Sequence, residues 1–319
     1  MATFVGIDEA GFGPILGPLV VSSTAFTVPE HLMKSNMWRV LHKSVYKKKK
    51  HLAGRLLITD SKKAYNRRAG TRHLNRTVLS FLRCIDINPS NIGGLLKILC
   101  PDSLARLGTY PWYRNTADAR LAFHEADISI ASDVLKDDMK AAGIKFLGFN
   151  SSCLDVGHFN ELVTVAKNKS SVLFTAISGL IIKAFENFGN EPLQIVIDRQ
   201  GGRVRYRKIL QRMFDQMDLK ILYESPKKSS YELKSDSRTM RLHFIVGADM
   251  AFLPVSLASM VSKFIRELLI ENINSYFTCR CSDLKPTAGY WKDGERFIKD
   301  LKRSDPALNI DMTQLVRCR

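Results

Sequence analysis

The sequence predicts an α/β protein, a mixed β-sheet flanked by helices, with an inserted, mainly helical segment and a C-terminal helical region. Three observations predict it. Two β-rich apolar runs at 3–8 and 18–27 are joined by a Gly/Pro turn and read as neighbouring strands. The continuous apolar run LQIVID at 193–198 has the composition of a strand buried on both faces. Apolar residues over 170–188, and small or apolar residues on a helical period over 254–275, supply helices to cover the sheet. With 319 residues, 45% of them hydrophobic, the chain can bury a sizeable core.

In chain order, the first strand ends in Asp8 and Glu9, and Gly11, Gly13, Pro14, Gly17 and Pro18 follow at once. A turn needs only the glycines, which tolerate positive φ, and the prolines, which pre-set theirs. It does not need two carboxylates. Acids at the carboxyl end of a strand, with backbone N–H groups just beyond, suit a cation held beside a phosphate-containing ligand. RLLITDSKK at 55–63 reads as a third strand ending in Asp60, with Ser61 placed to cap a helix running on through NRRAGTRHLNRTVLSFLRC. Residues 92–142 read as helical pieces around the aromatic loop TYPWYRN, inserted into the sheet's connectivity. For that loop, packing is the plainer expectation and nucleic-acid stacking the other.

GIKFLGFNS at 143–151 resumes strand character, and LQIVID ends abruptly in Asp198, the same design as the first strand. LKILYES and YELK around SPKKSS suggest a basic hairpin, and MRLHFIV at 240–246 leads into Asp249. The helix over 254–275 follows, with Pro254 acceptable in its first turn.

Lys plus Arg number 48 against 31 Asp plus Glu, a formal charge of +17 that favours a polyanionic partner, with nucleic acid the leading candidate. The excess is concentrated in SVYKKKKHLAGR and KKAYNRRAGTRHLNR, within 44–76. Six cysteines show no CxxC pairing and no companion histidines at zinc spacing, and are expected to be reduced intracellular thiols. Asp8 and Glu9 interrupt any N-terminal signal pattern, and the apolar run at 170–185 is short for a membrane span. The expectation is a soluble, cytoplasmic monomer with no membrane partner.

Asp8 with Glu9, Asp198 and Asp249 thus lie on three separated elements at strand ends or a helix entry, and in an α/β sheet such ends converge on one edge. Four carboxylates without histidine or cysteine form an oxygen-only donor set, which suits Mg²⁺ or Mn²⁺ and disfavours zinc. Clustered acids repel unless cations neutralise them, so in a basic protein this points to phosphodiester chemistry with two metal ions. A single carboxylate of this kind is more often a turn cap; four beside a glycine turn are not read that way.

GIDEAGFGPILGPLVV at 6–21, TDSKK at 59–63, VID at 196–198 and ADMAFLPVSLASMVSKFIRE at 248–267 resemble, in order and rough spacing, the signature blocks of ribonuclease HII, the type 2 ribonuclease H family. The resemblance covers most of the chain outside 92–142. It implies a ribonuclease H-like fold and a metal-dependent endonuclease that cuts the RNA strand of RNA/DNA hybrids or nicks duplex DNA at embedded ribonucleotides, leaving 5′-phosphate and 3′-hydroxyl ends. It implies that Asp8, Glu9, Asp198 and Asp249 bind the metals, that Lys62 or Lys63 contacts phosphate, and that Tyr290, in TAGYWKDG, stacks on the sugar beside the scissile junction. Lys263 and Arg266, three apart on one helix face, resemble the family's late helical basic positions.

One departure stands out. Where the family usually has Gly-Arg-Gly, the turn that recognises the ribose 2′-hydroxyl, this chain has Gly11-Phe12-Gly13. A backbone contact survives that change; an arginine contact to phosphate does not. A structure-selective DNA nuclease with relaxed ribose recognition is therefore one alternative, and a catalytically idle nucleic-acid-binding module on the same fold is another. The expected organisation is a catalytic core at 1–91 and 143–275, an inserted segment at 92–142 and a substrate-contacting region at 276–319.

Overall fold

The structure is a computed structural model that describes residues 1–65, 70–199, 201–307 and 310–318. Its strands are β1 (Ala2–Ala10), β2 (Leu19–Val28), β3 (Val45–Tyr46), β4 (Leu56–Leu57), β5 (Lys145–Leu154), β6 (Leu193–Asp198), β7 (Asp218–Glu224), β8 (Lys228–Lys234) and β9 (Thr239–Ile245). The first helices are α1 (Met37–Val40), α2 (Ser61–Ala64), α3 (Arg72–Arg83), α4 (Ile92–Leu99), α5 (Pro101–Leu107) and α6 (Glu125–Ala141). After β5 come α7 (Val156–Ala166), α8 (Lys169–Phe188), α9 (Arg207–Met213), α10 (Leu253–Thr278), α11 (Trp291–Ser304) and α12 (Met312–Leu315).

Seven strands form one mixed sheet in the order β5-β2-β1-β6-β9-β8-β7. β1 runs antiparallel to β2, with Asp8 opposite Ser22, and parallel to β6, with Ile7 opposite Ile197. β6 and β9 are also parallel, so β1, β6 and β9 deliver their carboxyl ends to the same edge. That places Asp8 and Glu9, Asp198 and the segment carrying Asp249 side by side. The expected mixed sheet flanked by helices is what forms.

Alternation along β1 and β2 divides the core between the two faces. Phe4, Val20 and Phe26 pack with α10 and α3 on one face. Val5, Ile7, Leu19 and Val21 pack with α8 on the other. α10 lies so close to β1 that a Cβ on Gly6 would fall 2.3 Å from the backbone of Pro254 and Val255. Hydroxyls make the near contacts: Ser262 Oγ on α10 donates to the Asp8 carbonyl at 3.0 Å, and Thr24 Oγ1 on β2 donates to the Pro254 carbonyl at 2.7 Å. α8 is long and apolar enough to cross a membrane by length and composition, unlike the short span read from 170–185, and Leu173, Ile177, Leu180 and Ile181 are buried in the core.

Three sequence expectations change. Among the described residues Leu56–Leu57 pairs with Val45–Tyr46 in a separate two-stranded sheet and not with the main one. Asp60, not Ser61, caps α2, its Oδ1 accepting from the Lys62 N–H at 2.9 Å. α2 ends at Ala64 and a new helix starts at Arg72; Asn66 to Ala69, part of the continuous helix expected there, lie outside the described residues. The aromatic loop of the 92–142 segment is packed, not displayed. Tyr110, Trp112 and Tyr113 are buried, and the Trp112 ring lies 5.7 Å from that of Phe277 on α10.

Candidate active site

Asp8 leaves β1 buried, and its Oδ1 accepts the Glu9 N–H at 2.7 Å, which fixes the carboxylate against its own backbone. Asp198 ends β6, and its Oδ1 accepts the Ala248 N–H at 2.6 Å, tying β6 to the single turn Ala248–Met250 that carries Asp249. The turn is reached through Gly247, whose φ of 68° lies in the left-handed region that glycine adopts freely. The four acids line one cleft of about 460 Å³ with Gly11, Phe12, Gly13, Lys62, Lys263 and Tyr290. Asp60 also lines it.

The electrostatics are those of crowded, desolvated acids. Burial, then the charges of Glu9 and Asp198, push Asp8 well above the ordinary carboxylate range. Burial and Asp198 push Glu9 up to about 8. Asp198 rises to about 6 through burial, opposed by its bond from Ala248 and reinforced by Asp249. Asp249 is raised by burial and then by Asp60, while the Met250 N–H, Lys62 and Lys47 pull it down. Asp60 is thus a fifth carboxylate of the cleft that the sequence reading assigned no role, although its place after an apolar run marked it.

Among the described residues no three His, Cys, Asp or Glu side chains are already drawn together tightly enough to hold an ion. The donor set still fits a hard divalent cation. It is oxygen-only, Glu9 Oε2 is buried without a hydrogen-bond partner, and burial together with mutual repulsion, which a bound cation would relieve, raises the Asp8 and Glu9 carboxyls.

The turn after Glu9 is built from behind by Arg266. Gly11 and Gly17, at φ 93° and 75°, curve around its side chain, where a Cβ at either position would come within 3 Å of it. Arg266 Nη2 donates to the carbonyls of Leu16 at 3.2 Å and Ala288 at 3.1 Å, joining the turn to the segment that carries Tyr290. Gly289 reinforces the joint by accepting from Ile15 N–H at 2.8 Å. Asp293 Oδ2 then holds both Thr287 Oγ1 and the Ala288 N–H at 2.7 Å, leaving Tyr290, 46% exposed, at the cleft's edge. Gly13 has no left-handed φ, and nothing lies within 4 Å of where its Cβ would be, so its role is open backbone, not turn geometry.

Two expected nucleic-acid contacts fall elsewhere. Arg266 is only 1% exposed and does not line the cleft, because it faces inward to the glycine turn. Lys63 is exposed but aims its Nζ at Met250 Sδ on the rim, 3.8 Å away, leaving Lys62 as the lysine of the pair that lines the cleft. Lys263 does line it, paired with Glu267 and stacked 4.7 Å from the Tyr65 ring. Phe12 is half-buried against the α8 side of the core, with Lys169 Nζ 5.5 Å from its ring. Lys47, from the basic run at 47–50, bonds the Met250 carbonyl and so brings that run to the Asp249 side.

No family model matches the chain, and no curated protein matches it. Solved structures similar to it are ribonucleases H. The ribonuclease HII in a PCNA:RNase HII complex from Archaeoglobus fulgidus matches at 16% identity and a TM-score of 0.48, over 99% of this chain and 94% of that one. Ribonuclease H2 from Pyrococcus horikoshii OT3 matches at 14% identity and 0.45, over 99% and 92%. Bst-RNase HIII in complex with Mn²⁺ matches at 12% identity and 0.42, over 99% and 66%. At these values the functional reading rests on the residues of the cleft.

Proposed function

We propose that this protein is a divalent-metal-dependent endonuclease of ribonuclease H type 2 character, hydrolysing the RNA strand of RNA/DNA hybrids or nicking duplex DNA at embedded ribonucleotides. The observation that carries the reading is the convergence of Asp8, Glu9, Asp198 and Asp249 with the 11–13 turn and Tyr290 on one cleft of a chain with formal charge +17. The four acids would hold two Mg²⁺ or Mn²⁺ ions, which when bound supply positive charge at the scissile phosphate and the attacking water. The chain's own residues do the rest. Lys62 in the cleft and the Lys47–Lys50 run, which Lys47 ties to Met250, would offer charge to the phosphates, and the 11–13 backbone would meet the ribose. Tyr290, exposed at the cleft's edge, would stack on the adjacent sugar, and hydrolysis would leave 5′-phosphate and 3′-hydroxyl ends.

Phe12 favours a second reading. Its ring is seated against the core and Lys169, and it cannot supply an arginine's charge-assisted phosphate contact, so a DNA nuclease with relaxed ribose recognition fits the same cleft. One assay separates the two: cleavage, with Mg²⁺ or Mn²⁺, of an RNA/DNA hybrid, a DNA duplex with one embedded ribonucleotide and an all-DNA duplex. Selective cutting at ribonucleotides is expected. Equal cutting of all-DNA duplex supports the second reading, and no cutting of any of the three rejects both.

A further inference from the structure

Asp198, which lines the carboxylate cleft, also lines a second pocket of about 230 Å³ with no assigned role. Its floor is aromatic, with Tyr206 and Phe244 stacked at 3.7 Å and Phe174 beside them. Its polar lining comes from Arg199 and Arg203. Arg199 is 92% buried by its 8% exposure, donates Nη1 to the Ser225 carbonyl at 3.3 Å, and keeps a buried Nε with no partner. Arg203 lies with its guanidinium 4.8 Å from the Phe174 ring and also keeps a buried, unpartnered Nη1. Gly201 and Gly202 add bare backbone between them.

The opposite wall is the start of α8, a twenty-residue helix whose first turn carries Lys169 and no acid. Asn168 caps it, accepting from the Ser170 N–H at 2.8 Å, and both residues line the pocket. The positive end of a helix dipole, two arginines with unused donors and an apolar floor that excludes water all favour an anion. Among the described residues Asp198 is the sole acid lining the pocket, and its Oδ1 is already engaged by Ala248.

We propose that this pocket binds a phosphate group, specifically a backbone phosphate of the bound nucleic acid flanking the one at the carboxylates. Asp198 lines both cavities, and Lys169 bridges from the pocket's helix to Phe12 in the 11–13 turn, so a strand crossing the cleft passes from one to the other. The proposal rests on the nucleic-acid reading of the cleft but not on its turnover. It also gives Phe12 a context, because the phosphate grip an arginine would supply in the turn is moved to Arg199 and Arg203.

The test is a binding measurement in EDTA, where no cleavage occurs, on a DNA duplex carrying one ribonucleotide, with a neutral methylphosphonate placed at each backbone position in turn. For the wild type, one position near the ribonucleotide should weaken binding about tenfold. In Arg203→Gln the overall affinity should fall about tenfold, the slope of log K against log salt should become shallower by about one, and the methylphosphonate at that position should have no further effect. Arg199→Gln should behave alike; should that buried change unfold the protein, the partly exposed Arg203 carries the test, with Arg203→Lys expected between wild type and Gln. If no position loses its effect in Arg203→Gln, the proposal is overturned. It is equally overturned if inorganic phosphate binds wild type but not Arg203→Gln while the methylphosphonate scan stays uncoupled, since the pocket would then serve a free anion. Absence of cleavage on every substrate would reject the nuclease reading and leave this coupling standing.

Discussion

Replacing Asp198 by Asn should stabilise the metal-free protein while removing its activity. The Asp198 carboxyl is raised from 3.8 to about 6, chiefly by burial, with Asp249 adding repulsion. The unfolded chain therefore releases this proton near pH 4 and the folded chain only near pH 6, so between those values the folded state holds more protons and stability falls as pH rises. The penalty is complete above about pH 6. A rise of about two pH units, at about 1.4 kcal/mol each, amounts to about 3 kcal/mol. Asparagine removes the charge and keeps an Oδ1 that can accept from the Ala248 N–H, so little of the local structure is lost. Removing the charge also relieves Asp8 and Glu9, both of which it raises.

Urea unfolding in EDTA at pH 4 and pH 8 measures this. Asp198→Asn should be more stable than wild type by up to about 3 kcal/mol at pH 8, with the difference vanishing near pH 4. Adding Mn²⁺ should raise wild-type stability at pH 8 and leave the variant nearly unchanged. A variant no more stable than wild type at pH 8, or a wild type whose metal-free stability does not fall between pH 4 and pH 8, would refute the electrostatic account of the cleft.

Gly6→Ala should destabilise by about 1–3 kcal/mol or more, because the new Cβ would meet the backbone of Pro254 and Val255 at 2.3 Å; a thermal midpoint equal to wild type would show that α10 moves away freely. Trp112→Ala should cost about 3–5 kcal/mol in chemical denaturation, since its ring is buried against Phe277, and a near-neutral result would show that the aromatic loop adds nothing to the core. Tyr290→Ala should change stability by less than about 0.5 kcal/mol, because the ring is 46% exposed, yet slow cleavage at embedded ribonucleotides about tenfold through lost stacking; unchanged kcat/KM would remove it from the site.

The parts of this fold written in local pattern were legible in the sequence. β1 and β6 are apolar runs that stop at carboxylates, and both the strands and the convergence of their ends followed from that. The long helix after Pro254 was legible for the same reason. What depended on distant partners was not. Leu56–Leu57 has strand composition, but Val45–Tyr46 captures it into a separate pair. Arg266 has the i, i+3 spacing of a surface cation beside Lys263, yet glycines far away in sequence enclose it. The aromatic loop was ambiguous because burial of Trp112 is decided by α10, more than a hundred residues on. The same limit hid the phosphate pocket: Arg199 and Arg203 are visible beside Asp198, but the start of α8 and the stacked Tyr206 and Phe244 that complete it are contributed by three other elements.

Everything proposed for the cleft requires that its carboxylates gather around cations. Anomalous diffraction from crystals of this protein grown with Mn²⁺ locates the ions. The expected result is Mn²⁺ density between Asp8, Glu9, Asp198 and Asp249, with the side chains drawn inward to oxygen–metal distances of about 2.0–2.2 Å and the density lost in Asp8→Asn. Mn²⁺ bound only elsewhere, or a cleft that stays open and free of density at saturating Mn²⁺, would contradict the assignment.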